Sequence, residues 1–446
     1  MREQTPTAPA FGRPAPEAAP RRFTLASVAV LCLLTALTLA AGYANKARCT
    51  GPWFDEQGRS QPDYQSRSYS DVCYSDIQNL WLGRDIDKHV FPYVHGGMDD
   101  GSLHGGVVEY PVLTGLLIWL GALAVHTDGG FLAASALLMA PFGLAVAWWL
   151  GRLSRWRALL WALGPPLVLY SFHNWDLPAV ACAVAAVFVV HRCTSVPFRR
   201  RAVWAAVLLA VGFALKLYPG IFVLPLALYV LTGGPRGLAL PDGKRFDVRG
   251  ALAVLGAAAG TAVLVNLPFA VAGFEGWAAS FRFQSERKVD LSTNSIWYWG
   301  FRGFDSDAFQ DAMSVVSPLL VLASFAAACA VGWLVRGRAG TFPWVQVSAA
   351  MLCGFLLLHK VHSPQYALWL LPFFVLVRVR WGWIAAYLIA DAAMGISVFR
   401  WMAEGGGIGD GFTAQALMIG VWGRAALLVG LFVAFLGART SLRRIS

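Results

Sequence analysis

Apolar stretches of about twenty residues, the length that crosses a bilayer core as helix, recur along nearly the whole chain. They run from "FTLASVAVLCLLTALTLAAG" at 23–42 to "ALMIGVWGRAALLVGLFVAFLG" at 416–437. Lipid offers no partner to an unpaired backbone N–H or C=O, so chains built this way fold as helices or closed barrels. Runs this long and this uniformly apolar select an all-α, polytopic membrane protein. Composition agrees, with 57% hydrophobic and 14% charged residues, against roughly 25% charged in a soluble domain. The net charge of +11 then reads as an orientation signal, not a nucleic-acid footprint, because Arg clusters stand in short loops between apolar runs.

Those clusters fall at Arg152/Arg155/Arg157, Arg199 to Arg201, Arg236 to Arg249, Arg336/Arg338, Arg378/Arg380 and Arg439 to Arg444. Keeping all of them in the cytoplasm predicts spans at 23–42, 131–150, 157–172, 176–192, 202–217, 219–232, 251–272, 312–334, 344–358, 366–377, 381–399 and 414–437. "YPVLTGLLIWLGALAV" (110–125) is then left at the outer interface, since counting it as a crossing would invert every later loop. About twelve spans result, with both termini inside. Inner segments hold 22 Lys/Arg against 4 Asp/Glu and outer segments 13 against 20, the positive-inside pattern. Residues 1–22, rich in Pro and Ala, read as a disordered cytoplasmic tail, and 23–446 as one transmembrane domain. Asp391 and Arg424 lie at similar depth in the last two spans and are expected to pair.

Functional residues collect outside. The first extracytoplasmic loop, 43–130, is long enough to fold on its own account; a further large outer loop spans 273–311. The first loop contains the only two outer cysteines, Cys49 and Cys73, in a compartment where disulfides persist, and these are expected to pair. The loop also carries "SDVCYSDIQNLW" (70–81), with Asp71 and Asp76. The short outer loops read "SFHNWDLP" (171–178), "LKLYPG" (215–220) and "LHKVHSPQY" (358–366). Only six residues are Lys against thirty Arg, yet Lys216 and Lys360 stand at outer ends of spans, against the orientation rule. With His359 and His362 beside Lys360, they suggest an anion site at the membrane edge, most simply for a lipid phosphate. Trp297 and Trp299 suit an interfacial belt or a sugar face. Two His three apart, without a third ligand, do not make a zinc site; no metal and no cofactor is expected.

Taken in order, Asp76, "LGRDIDKHVFPY", "EYPVLTG", "HNWDLPAV", "KLYPG" and "HKVHSPQYALWLLP" resemble the GT-C glycosyltransferases, and within them glycosyltransferase family 87, which includes polyprenyl-phosphate-mannose-dependent mannosyltransferases of actinobacteria. The resemblance covers roughly residues 70–377. It implies a GT-C-like fold in a bacterial, actinobacterial cell membrane, with the site facing outward. It also implies transfer of a sugar, mannose by analogy, from a polyprenyl-phosphate donor to a hydroxyl of a lipid or glycan acceptor, with inversion. By motif position Asp76 is the catalytic base. Lys360, His362, Lys216 and His359 would hold the donor phosphate. Asp71, Tyr110, His173, Asn174, Asp176, Tyr218, Gln365, Tyr366, Trp297 and Trp299 would line the substrates. Two departures stand out: Tyr110-Pro111 is followed by Val112, where the family has a second Pro, and 45–70 is an insertion. The alternative reading is a secondary transporter or flippase of lipid-linked or small anionic substrates. Against it, the two halves show no repeat, and polar residues gather in outer loops instead of at mid-membrane.

Overall fold

The computed structural model describes residues 23–237, 246–301, 306–405 and 411–442; the tail expected over 1–22 lies outside these. Helix makes up most of the described chain, and sheet is confined to two short antiparallel hairpins. Six helical segments are long and apolar enough to cross a membrane: Leu25–Ala47, Asp128–Ala162, Val248–Ala272, Asp307–Gly337, Trp381–Ala403 and Phe412–Gly437. The protein is thus an all-α membrane protein.

Helix α1 (Leu25–Ala47) opens on a capping box, in which the Thr24 and Ser27 side chains each accept from the other's backbone N–H, satisfying donors that would otherwise face lipid. The segment that follows holds hairpin β1 (Trp53–Phe54)/β2 (Ser60–Gln61), helices α2 (Tyr64–Ser70) and α3 (Asp76–Gly83), hairpin β3 (Gly97–Asp99)/β4 (Ser102–His104) and α4 (Val112–Ala122). At 11 residues, α4 has about half the length a crossing needs. Helix α5 (Asp128–Ser154) returns the chain through the bundle.

A continuous span over 157–172 does not form. The chain breaks there into α6 (Leu159–Ala162) and α7 (Pro165–Tyr170), with Gly164 extended between them. Pro165 and Pro166 supply no N–H, and a proline disfavours helical backbone in the residue before it. The other expected spans coincide with α8 (Leu177–Arg192), α9 (Phe198–Leu215), α10 (Val223–Leu231) and α11 (Val248–Ala272). After helices α12 (Phe274–Glu286) and α13 (Ile296–Gly300) come α14 (Asp307–Ala339), α15 (Trp344–Leu358), α16 (Ala367–Leu376), α17 (Trp381–Ala403) and α18 (Phe412–Gly437). Several of these are short for a bilayer, but α8, α15 and α16 are sheathed by protein, and every residue of α16 is buried. Short or interrupted helices are tolerated where protein, not lipid, surrounds them.

The segment between α1 and α5 is fastened to the bundle by polar contacts. A disulfide joins Cys49 and Cys73, with Cα atoms 6.2 Å apart. The Asp128 carboxylate, fully buried at the start of α5, accepts from Arg59 Nη1 (3.2 Å), Ser60 N (3.0 Å) and Ser60 Oγ (2.5 Å). Arg59 also donates to the Gln78 and Asn79 carbonyls, so one guanidinium ties the β1/β2 hairpin to α3 and α5 together. Buried Tyr93 donates to the Tyr110 carbonyl at 2.9 Å. Its ring needs Gly115, where a Cβ would stand 2.2 Å from the phenol oxygen.

Candidate active site

Asp76 is the first residue of α3. Ser75 caps that helix, accepting from Ile77 N (3.2 Å) while donating to the Phe172 carbonyl (2.7 Å). The Asp76 N–H donates to His173 O at 2.8 Å. The α3 N-terminus is therefore docked on the turn between α7 and α8, and its dipole favours a carboxylate there. Asp76 is only partly buried, so it keeps access to the protein surface.

The same turn supplies the clasp. Asn174 Nδ2 donates to Asp76 Oδ2 (2.6 Å) and to Tyr110 Oη (2.7 Å). Asn174 Oδ1 accepts from Lys216 Nζ (2.8 Å) and Trp175 N (2.6 Å). With acceptors on one side and donors on the other, the amide has one satisfactory orientation. Tyr110 Oη lies 3.4 Å from Asp76 Oδ2, and Lys216 Nζ sits 4.2 Å above the Tyr110 ring. Lys216 also stands 3.8 Å from buried Asp176, whose Oδ1 accepts from Trp369 Nε1 at 2.8 Å and whose Oδ2 has no hydrogen-bond partner among the described residues. Asp76, Tyr110, Asn174, Lys216, Asp176 and Trp369 thus form one continuous polar array drawn from α3, the approach to α4, the turn into α8, the end of α9, and α16. Burial and the Asp76 charge push the Tyr110 phenol well above its ordinary range, so it acts as a hydrogen-bond donor and not as an anion.

A second centre lies around Lys360. Lys360 Nζ donates to Ser285 O at 3.0 Å. Burial and the nearby Arg287 charge hold its ammonium below the usual lysine range. Arg287 is half-buried, with one contact to Ser292 Oγ at 3.4 Å. Neither cation makes an ion pair among the described residues. Tyr366, stacked on Trp369 at 3.9 Å, lies within electrostatic reach of Arg287, Asp176 and Asp76. It is the bridge between the two centres. Gln284 of α12 donates to the Glu109 carbonyl at 2.7 Å, which ties the cationic side to the residue before Tyr110.

Other residues singled out in the sequence are placed differently. Lys216 belongs to the Asp76 array and not to the Lys360 pair, because Asn174 and Asp176 claim its ammonium. His359 stacks on Phe355 at 4.8 Å, and burial lowers its pKa. His362 is buried, with Nδ1 3.1 Å from Leu356 O and Nε2 unpartnered; burial, then the Arg424 charge, hold it well below the ordinary imidazole range. It is neutral and adds no cation. His173 serves through its carbonyl, its buried ring lying against Tyr74, Tyr170 and Phe399. Tyr218 is floor, stacked under Trp369 at 4.2 Å, and Gln365 is buried beside Ser363. Trp297 Nε1 donates to Leu358 O at 2.8 Å, and Trp299 packs on Trp401 at 5.1 Å; both brace the outer loop. Asp71 is exposed, with its carboxylate 3.3 Å from Ser70 Oγ.

Asp391 and Arg424 do not form the expected ion pair among the described residues. Arg424 reaches upward and donates to Asn294 O at 3.3 Å and toward Met394 Sδ, leaving Asp391 Oδ1 without a partner. Two residues escaped the sequence reading. Arg287 is one. Lys46 is the other: nearly fully buried at the end of α1, it donates to Tyr74 O at 2.8 Å and lies within electrostatic reach of Asp76. Its signal was available, since Lys46 too is a rare lysine at the outer end of a span. Among the described residues, no three His, Cys, Asp or Glu side chains converge as metal ligands.

No protein-family model matches the chain, and no curated protein is similar to it.

Proposed function

We propose that this protein is an integral membrane glycosyltransferase that moves a sugar, mannose by the sequence resemblance, from a polyprenyl-phosphate donor to a hydroxyl of a lipid or glycan acceptor at the extracytoplasmic face. The observation that carries this reading is one outer rim holding two complementary centres. A partly exposed carboxylate, Asp76, is clasped by Asn174 and Tyr110, and two cations without an ion pair among the described residues, Lys360 and Arg287, stand beyond Tyr366.

That arrangement suits a single displacement. The acceptor oxygen bonds to the anomeric carbon as the bond from that carbon to the phosphate oxygen breaks, which inverts the centre. The hydroxyl proton passes to Asp76, general-base assistance that contributes about 10²–10⁴-fold. The leaving polyprenyl phosphate departs as an anion onto Lys360 and Arg287, whose preorganised charge supplies a few kcal/mol. Asn174 fixes the base, and Lys216 fixes Asn174. A lipid-borne donor also accounts for a cationic site at the membrane edge, where the phosphate of a bilayer-bound polyprenol resides.

The reading is tested by following polyprenyl phosphate released from radiolabelled polyprenyl-phosphate mannose by the purified protein in nanodiscs. Wild type is expected to release it, and Lys360→Ala with Arg287→Ala to require far more donor for the same rate. Absence of release from mannosyl, glucosyl, galactosyl and arabinosyl donors alike, with an acceptor extract present, would refute it.

A further inference from the structure

The insertion at 45–70 has no part in the chemistry described above, yet it is carefully fastened. The Cys49–Cys73 disulfide closes it, Arg59 and Ser60 anchor it on Asp128, and Arg67 donates to the carbonyls of Pro62, Cys49 and Gly51 at 2.7, 3.2 and 2.7 Å. What this fastening presents is a set of rings beside Asp76. Tyr69, at the end of α2, and Tyr74, just past the disulfide, lie nearly parallel with centroids 5.6 Å apart. Phe399 of α17 completes the group at 6.3 and 5.2 Å, with interplanar angles of 15° and 22°. Both tyrosines are half-buried, so part of the patch is open.

Two features separate this patch from an ordinary lipid-facing surface. Its inner side packs on the apolar cluster of Val398 and Trp401, but the chain beside Tyr69 is hydrophilic: Gln65, Ser66, Ser70 and Asp71 are all exposed, and an exposed carboxylate does not face hydrocarbon. It is also electrostatically continuous with the base. The Asp76 charge is the second cause, after burial, of the upward shift of the Tyr74 phenol, and it acts on Tyr69 as well. Near-parallel aromatic rings, with the exposed Asp71 carboxylate two residues on from Tyr69, suit a sugar. The apolar C–H face of a pyranose packs on the rings, and its ring hydroxyls donate to acceptors such as Asp71.

We propose that the disulfide-closed insertion builds, from Tyr69, Tyr74 and Phe399, an acceptor subsite that takes the apolar face of the acceptor's sugar unit and turns one of its hydroxyls toward Asp76. The proposal deepens the function given above and rests on Asp76 being the base of a transfer to a hydroxyl. It makes the acceptor a glycan or glycolipid, not a simple alcohol or a protein side chain.

The test uses saturation-transfer difference NMR on the full-length protein in nanodiscs, with methyl α-D-mannoside, methyl β-D-galactoside and methyl α-D-glucoside as probes. Wild type, Tyr69→Phe and Asp76→Asn are expected to saturate the ring protons of one face of at least one glycoside. Tyr69→Ala is expected to weaken that binding roughly three- to tenfold, the worth of one aromatic contact. Tyr69→Leu, which refills the packing position on α17 without a flat face, is expected to behave like Tyr69→Ala, which guards against misfolding of the smaller variant. No face-selective saturation with any glycoside, or equal saturation in Tyr69→Leu and wild type, would overturn the subsite. Glycoside binding without donor turnover would sink the transferase and leave the subsite standing; turnover without glycoside binding would do the reverse.

Discussion

Lys216 is the residue whose removal the structure makes most costly, and the cost can be worked out. It is nearly fully buried; its ammonium is 2.8 Å from Asn174 Oδ1, 3.8 Å from Asp176 and 4.2 Å above the Tyr110 ring. Lys216→Met keeps the apolar stem but leaves Asp176, fully buried, with the Trp369 N–H as its one hydrogen bond. Breaking one side of a buried ion pair costs about 3–5 kcal/mol. The lost charged hydrogen bond to Asn174, about 1.5–3 kcal/mol on its own, overlaps with that figure and is not added to it. Asp176→Asn in the Lys216→Met background removes the orphaned charge, so the double variant should recover about 2 kcal/mol or more relative to the sum of the single changes. Unfolding in mixed micelles titrated with dodecyl sulfate reads these differences. The catalytic consequence separates from the structural one: the double variant regains stability but not turnover, because Asn174 still lacks the donor that fixes its amide against Asp76. Single variants within about 0.5 kcal/mol of wild type, or strictly additive effects, would refute the reasoning.

Further outcomes follow from the same geometry. Because burial and Arg287 depress the Lys360 pKa, its cationic form is lost at lower pH than that of a free lysine. Donor affinity should therefore fall as pH rises toward that depressed value, and Lys360→Arg should move the falling limb to higher pH; an unmoved limb would remove Lys360 from the phosphate site. Since His362 is neutral, His362→Gln should leave the salt dependence of donor KM unchanged, whereas Arg287→Gln should flatten it, each measured between low and moderate ionic strength. In a background lacking the five free cysteines, Asp99→Cys should react with an impermeant maleimide in intact cells. Arg152→Cys should react only after permeabilisation, and the opposite pattern would invert the topology.

Much of the site was legible because charged and polar residues are so rare in an apolar chain that each one is conspicuous. Asp76, Tyr110, Asn174, Asp176 and Lys216 stand far apart in sequence, and the fold draws them into one hydrogen-bonded array. The grouping of Lys216 with Asn174 and Asp176 was not legible in the sequence, because its charge says nothing about which nearby carboxylate or amide its ammonium will meet. Arg287 was obscured in "SERKVD" by its charged neighbours, and only the approach of α12 to the Lys360 loop distinguishes it. The 157–172 segment reads as one span by hydropathy, but Pro165 and Pro166 carry apolar weight while breaking the helix. Asp391 and Arg424 lie at matching depth, yet side-chain direction, not depth, decides pairing. Arg424 turns up to Asn294.

The central claim is that Asp76 accepts a proton from an acceptor hydroxyl during sugar transfer. Transfer of label from polyprenyl-phosphate mannose to a glycan or lipid acceptor should be measured in membranes containing wild type, Asp76→Asn or Asp76→Glu. The account predicts transfer by wild type, a loss of about 10²-fold or more in Asp76→Asn with donor binding retained, and partial activity in Asp76→Glu. Equal transfer by wild type and Asp76→Asn would contradict it.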